Sequence, residues 1–192
     1  MKAVFVSVIG VLTVCELGSA RIGLAQATRV NSTAAVLADF SKRVNDYVAL
    51  HRRLANTFGQ IDETKSQAEI AAREKALGDA IRTARTNVKP GEILTPQVAT
   101  IFKKLIADEY RRRPAATVKV REDPREAESA EFKPVLNQTY PPTEPLETFP
   151  AGLLRLLPQL PKEVEYRTVG RYLVLRDSEA NVIVDVAPQL IP

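Results

Sequence analysis

Leu37, Phe40, Val44, Tyr47, His51, Leu54 and Phe58 recur at alternating steps of three and four. That spacing is the seam of a packed helix, and it places the only histidine of the chain among apolar side chains. A second run repeats the period: Ile70, Glu74, Leu77, Ile81, Ala84 and Val88, with a glutamate in its seam. Two such stripes cannot both face water, so they are expected to fold back on each other as an antiparallel hairpin. One register then pairs Leu54 with Ile70, His51 with Glu74, Tyr47 with Leu77, Val44 with Ile81 and Phe40 with Ala84.

The first helix is expected over 34–58, capped by Asn31-Ser32-Thr33 and stopped at Gly59. Thr64 and Gln67 fit a capping box for the second, which should reach about Thr86. Gly78 within it costs about 1 kcal/mol against alanine, or permits a close helix approach. Pro90-Gly91 marks a loop. Thr95 and Pro96 then supply cap and first position of a third helix, with Val98, Ile101, Phe102, Leu105 and Ile106 as its stripe and Pro114 as its end.

Seven of the thirteen prolines lie in 114–150, which reads as an extended connection wrapping the surface. Within it Thr117 to Arg121 alternates like an edge strand. One or two helical turns are expected over 150–157, ended by Pro158.

The last segment alternates with period two. Val164 to Thr168, Tyr172 to Leu175 and Val182 to Val186 read as three strands, joined at Gly170-Arg171 and at Ser178 to Asn181. One face should collect Val164, Tyr166, Leu173, Leu175, Val182, Val184 and Val186, with Leu175 opposite both Tyr166 and Val184. The expected fold class is α+β: a helical hairpin, a third helix, a proline-rich connection and a C-terminal three-stranded antiparallel β-meander.

The N-terminus carries a different signal. Met1-Lys2 precedes a charge-free apolar stretch, Ala3 to Cys15, too short to span a bilayer as a helix. Ala25-Gln26-Ala27 then offers a small-residue cleavage site, with Gly18-Ser19-Ala20 as an earlier one. An uncleaved anchor and a buried strand are the structural alternatives. Cys15 also raises a lipoprotein reading, against which Val14 is bulky where a small residue is wanted. The expected organisation is a signal peptide over 1–27, a helical region over 28–113, the connection over 114–150, and a short helix with the meander over 151–192. Periplasmic or secreted localisation follows, with membrane contact only through the leader before cleavage. Cleavage after Ala27 would leave 25 basic and 22 acidic residues and no cysteine.

Three patches carry a resemblance: YVALHRRL at 47–54, KPGEILTPQVATIFKKLI at 89–106 and EVEYRTVGRYLVLRDSEANVIVDV at 163–186. Together they resemble a family of uncharacterised exported bacterial proteins without assigned activity, which implies export and the extent of the domain. The tail alone is similar to the short hairpin of periplasmic nickel and cobalt homeostasis proteins.

Residue supply narrows the chemistry. With one histidine and no cysteine after export, neither a Cys-His pair nor a multi-histidine metal site can be assembled. No GxSxG elbow and no phosphate-cradling glycine loop is present. The adjacent carboxylates Asp108-Glu109 and Glu122-Asp123 diverge on any regular element. Arg111 to Arg113 closes a helix, where cations suit the dipole, and has no interleaved aromatics, so no nucleic acid is expected. His51 and Glu74, with Tyr47 nearby, remain the weak catalytic candidates. A histidine facing a carboxylate can be a general base, a weak metal site or a pH-sensitive latch; the structural reading is a polar layer that fixes register. No cofactor or metal is expected. The functional expectation is an exported, non-enzymatic module binding a protein or envelope partner. The alternative is a small-ligand-binding protein or hydrolase with a cleft near His51 and Glu74.

Overall fold

The computed structural model describes residues 19–59, 66–112, 132–141 and 151–191. The apolar stretch over 3–15, Thr64, and the alternating segment over 117–121 lie outside them. Helices α1 (Ser19–Asn56), α2 (Gln67–Ala84), α3 (Pro96–Arg112) and α4 (Ala151–Leu154) precede strands β1 (Val164–Val169), β2 (Tyr172–Asp177) and β3 (Val182–Ala187). The strands form one antiparallel sheet in the order β1-β2-β3. This is the expected α+β class. The chain divides into two units, Met1–Ala34 and Ala35–Pro192. The second holds the sheet and the core.

Two helix starts differ from expectation. Helix α1 begins at Ser19, so Asn31-Ser32-Thr33 lies inside it. Such residues are only mildly unfavourable in a helix interior when the chain before them is helical too. Helix α2 is capped by Ser66: its side chain accepts from the Glu69 N–H while Glu69 accepts from the Ser66 N–H. Gln67 is the first residue of the helix, so it is not the third-position partner that a capping box requires. Helix α3 starts at Pro96 as expected, with the Thr95 hydroxyl accepting from the Val98 N–H.

The helices cover one face of the sheet. Phe40, Val44, Tyr47 and Val48 of α1, Leu77 and Ile81 of α2, and Val98, Phe102 and Ile106 of α3 are buried against Val164, Tyr166, Leu173, Leu175, Val182 and Val184. Phe40, Phe102 and Tyr166 stack edge to face at 5.3 and 6.2 Å between centroids, tying α1, α3 and β1. The other face is closed by the segment 132–141. Phe132 and Tyr140 pack there with Val169, Tyr172, Val174, Ile183 and Val186. That segment also pairs with β3 through Asn137 N–H to Ile183 O and Ile183 N–H to Gln138 O, both 2.8 Å.

A β-bulge changes the parity of β3. Tyr166 faces Leu175 as expected, but Leu175 faces Asp185 while Arg176 faces Ile183. Val184 is the extra residue, so Leu175 is not opposite it. Beyond the bulge the faces exchange: Val186 turns to the far side, Ala187 joins the core under the helices, and Asp185 turns inward to the loop before α3.

The hairpin register is also corrected. Helix α2 runs back along α1, with Arg73 reaching Gly59 O and Ala55 O, and Arg85 lying over the Tyr47 ring. However, α2 buries Leu77, Gly78 and Ile81, and Arg85 at its C-cap is buried too, whereas Ala84 is exposed and Ile70 is 46% exposed. Its inner face is rotated toward the β2–β3 turn. Gly78 permits that approach: a Cβ there would lie 2.8 Å from Ala180 O. Leu54 is only partly buried and Phe58 is exposed, so the Leu54–Ile70 and Phe40–Ala84 layers of the predicted seam are not core layers.

Candidate functional site

Tyr47 and His51 stand one helical turn apart on α1, so their side chains share a face. Both meet the last residue of β2. The Tyr47 hydroxyl donates to Asp177 Oδ2 at 2.6 Å, and His51 Nδ1 approaches the same oxygen at 2.6 Å. The other oxygen, Oδ1, accepts the N–H of Glu179 at 3.0 Å and of Ala180 at 2.8 Å, closing the β2–β3 turn. Asp177 is thus inaccessible to solvent and fully engaged.

The second ring nitrogen of His51 faces another carboxylate. Nε2 lies 3.2 Å from Glu179 Oε2, and Glu179 Oε1 lies 3.3 Å from the Arg73 guanidinium. His51 therefore meets Asp177 and Glu179 in place of the expected Glu74. Glu74 is half-buried on α2 and has no hydrogen bond or ion pair among the described residues. The rotation of α2 explains this, because the sheet turn occupies the space the predicted register gave to Glu74. Of the three candidates, the structure brings Tyr47 and His51 together and leaves Glu74 out.

Electrostatics follows the geometry. Burial opposes a charged His51, but the hydrogen bond and charge of Asp177, joined by Glu179, outweigh it and hold the pKa above its ordinary value. Burial likewise opposes ionised Asp177, yet hydrogen bonds from His51, Tyr47 and the Ala180 N–H hold its pKa below the ordinary carboxylate value. Burial, with Asp177 beside it, pushes the Tyr47 phenol up, so it remains a donor. His51 thus lies between two carboxylates that favour its protonated ring, with Tyr47 and Arg73 at the ends of the group.

Beside it lies an open cleft of about 630 Å³. Arg43, Asp46, Tyr47, Arg85, Glu92 and Ile93 are among its lining residues, while His51 and Glu74 are not. Arg85 is buried, stacks over the Tyr47 ring at 5.1 Å and donates to Val184 O at 2.9 Å. The loop before α3, which forms one wall, is held by the carboxylate that the bulge turned inward. Asp185 accepts from the N–H groups of Gly91 at 2.9 Å and of Ile93 and Leu94 at 2.8 Å.

Arg73, Arg85, Asp177, Glu179 and Asp185 escaped the sequence reading. For Asp177 a signal existed: the alternation that sends Leu173 and Leu175 inward sends Asp177 inward too, and a buried carboxylate needs a cationic partner. For Asp185 none existed, since alternation pointed it outward. Among the described residues, no group of three or more histidine, cysteine or carboxylate side chains is placed to hold a metal ion. No described helix is long and apolar enough to cross a membrane. No protein family, curated protein or solved structure matches this chain.

Proposed function

We propose that the protein is an exported, non-enzymatic module that binds a protein or envelope partner. The observation that carries this reading is the closure of the catalytic-type cluster around His51. His51 is 1% exposed and both of its ring nitrogens are engaged by carboxylates that have further partners. A general base must present a free lone pair to substrate, and this ring is spent on joining α1 to the sheet. Support for export comes from the apolar leader and Ala25-Gln26-Ala27. The compact unit begins at Ala35, downstream of that site, so cleavage leaves its sequence whole. The test is mass spectrometry of the protein from its native host, followed by cross-linking and identification of what co-purifies. A mature N-terminus near Thr28 and one reproducibly enriched envelope partner are expected. The intact chain in the cytosol would defeat the export reading.

The cleft favours a second reading, a small-ligand-binding protein, with its centre moved from His51 and Glu74 to Tyr47 and Arg85. Planar anions would suit a wall made of a phenol ring and a guanidinium. Thermal-shift measurements with simple aromatic carboxylates decide it: stabilisation that vanishes in Arg85→Gln favours the ligand reading, and none favours the partner reading.

A further inference from the structure

We propose that His51 is a proton-gated latch whose deprotonation releases Glu179, and with it the link through Arg73 to the N-terminal half of α2. Hydrogen-bond supply distinguishes the two states of the ring. A neutral imidazole carries one N–H and one lone pair, whereas the imidazolium carries two N–H groups. Here Nδ1 faces Asp177 Oδ2 at 2.6 Å and Nε2 faces Glu179 Oε2 at 3.2 Å. Only the charged ring satisfies both. After loss of one proton, a lone pair must face one of the two carboxylates.

The surroundings decide which carboxylate yields. Asp177 is inaccessible and is held by Tyr47 and by the N–H groups of Glu179 and Ala180 as well as by His51. Glu179 is 35% exposed at its side chain and has Arg73 as its other partner. The remaining proton therefore stays on Nδ1, and Glu179 moves. The other charged group sensed from the strand side is Glu163, which precedes β1 and pairs with Arg52 at 2.8 Å. Its negative charge adds to the preference for the protonated ring, and Arg52 offsets it.

The consequence falls on α2. Its residues 67–72 are exposed, Arg73 and Glu74 are partly buried, and the first fully buried residues are Leu77 and Gly78. Between these stretches Arg73 ties the helix to Gly59 O at 2.6 Å, Ala55 O at 3.5 Å and Glu179 at 3.3 Å. Glu179 is the carboxylate in that set. Its departure strips the guanidinium of its counter-charge and leaves a buried Nε that already lacks a partner. The first turns of α2 then open locally, while Leu77, Gly78 and Ile81 keep the second half on the sheet.

Hydrogen exchange on the full chain at a series of pH values tests this, with each rate divided by the intrinsic rate at that pH. Protection of the amides from Ile70 to Ala76 should fall about fivefold or more as His51 titrates, while β2 amides hold steady. Arg73→Gln should show the low protection at every pH. Unchanged protection of Ile70 to Ala76 through the His51 titration would overturn the proposal. So would a loss shared equally by α2 and the strands. The wild-type profile decides the matter even if the variant does not fold.

Discussion

Asp177, at the end of β2, joins α1 to the β2–β3 turn through one carboxylate: Tyr47 and His51 on one oxygen, the turn on the other. Replacing it by asparagine keeps the shape, removes the charge and leaves a buried histidine without its main counter-ion. Breaking a buried pair from one side is costly, so Asp177→Asn should destabilise by about 3 kcal/mol, read as a lower urea midpoint at unchanged slope. Asp185 serves differently. It accepts N–H groups from Gly91, Ile93 and Leu94, and Asp185→Ala leaves these donors without their carboxylate. A loss of about 2–3 kcal/mol is expected, with amide exchange at Ile93 and Leu94 rising first. A cost under about 0.5 kcal/mol would show that water replaces the carboxylate freely.

At the scale of elements, Gly78 sets how closely α2 meets the sheet. Alanine is ordinarily the better helix former, but here its Cβ would meet the backbone oxygen of Ala180 at 2.8 Å. A backbone atom cannot swing aside, so Gly78→Ala should destabilise by about 1–3 kcal/mol in thermal melts; stabilisation would contradict the close approach. The same helix shows what the sequence could reveal. Its period identified Leu77 and Ile81 as buried, as it did Phe40, Val44, Tyr47 and His51 on α1. Periodicity says that a stripe is covered and is silent on what covers it. Pairing one stripe with the other supplied Glu74 as the partner of His51, where the fold places the turn after β2. The three strands and both turns were legible because alternation and turn length constrain each other. The bulge at Val184 was not, because one inserted residue leaves no mark on an apolar run and yet reverses Val186 and Asp185.

At the scale of the whole molecule, these contacts make stability depend on pH from two directions. Asp177 has its folded pKa below the ordinary 3.8, so its contribution is present above 3.8 and is lost as pH falls through the lower folded value. His51 has its folded pKa above the ordinary 6.5, so its contribution is full below 6.5 and is lost as pH rises through the higher folded value. Urea midpoints should therefore decline on the alkaline side in the wild type, and His51→Gln should flatten that decline. Asp177 and Glu179 together hold the His51 pKa above its ordinary value, and this is directly measurable. The chain contains one histidine, so proton NMR of the folded protein yields a single ring titration. A midpoint above 6.5 is the predicted result; a midpoint at or below 6.5 would mean that burial prevails over the two carboxylates, and would contradict the account.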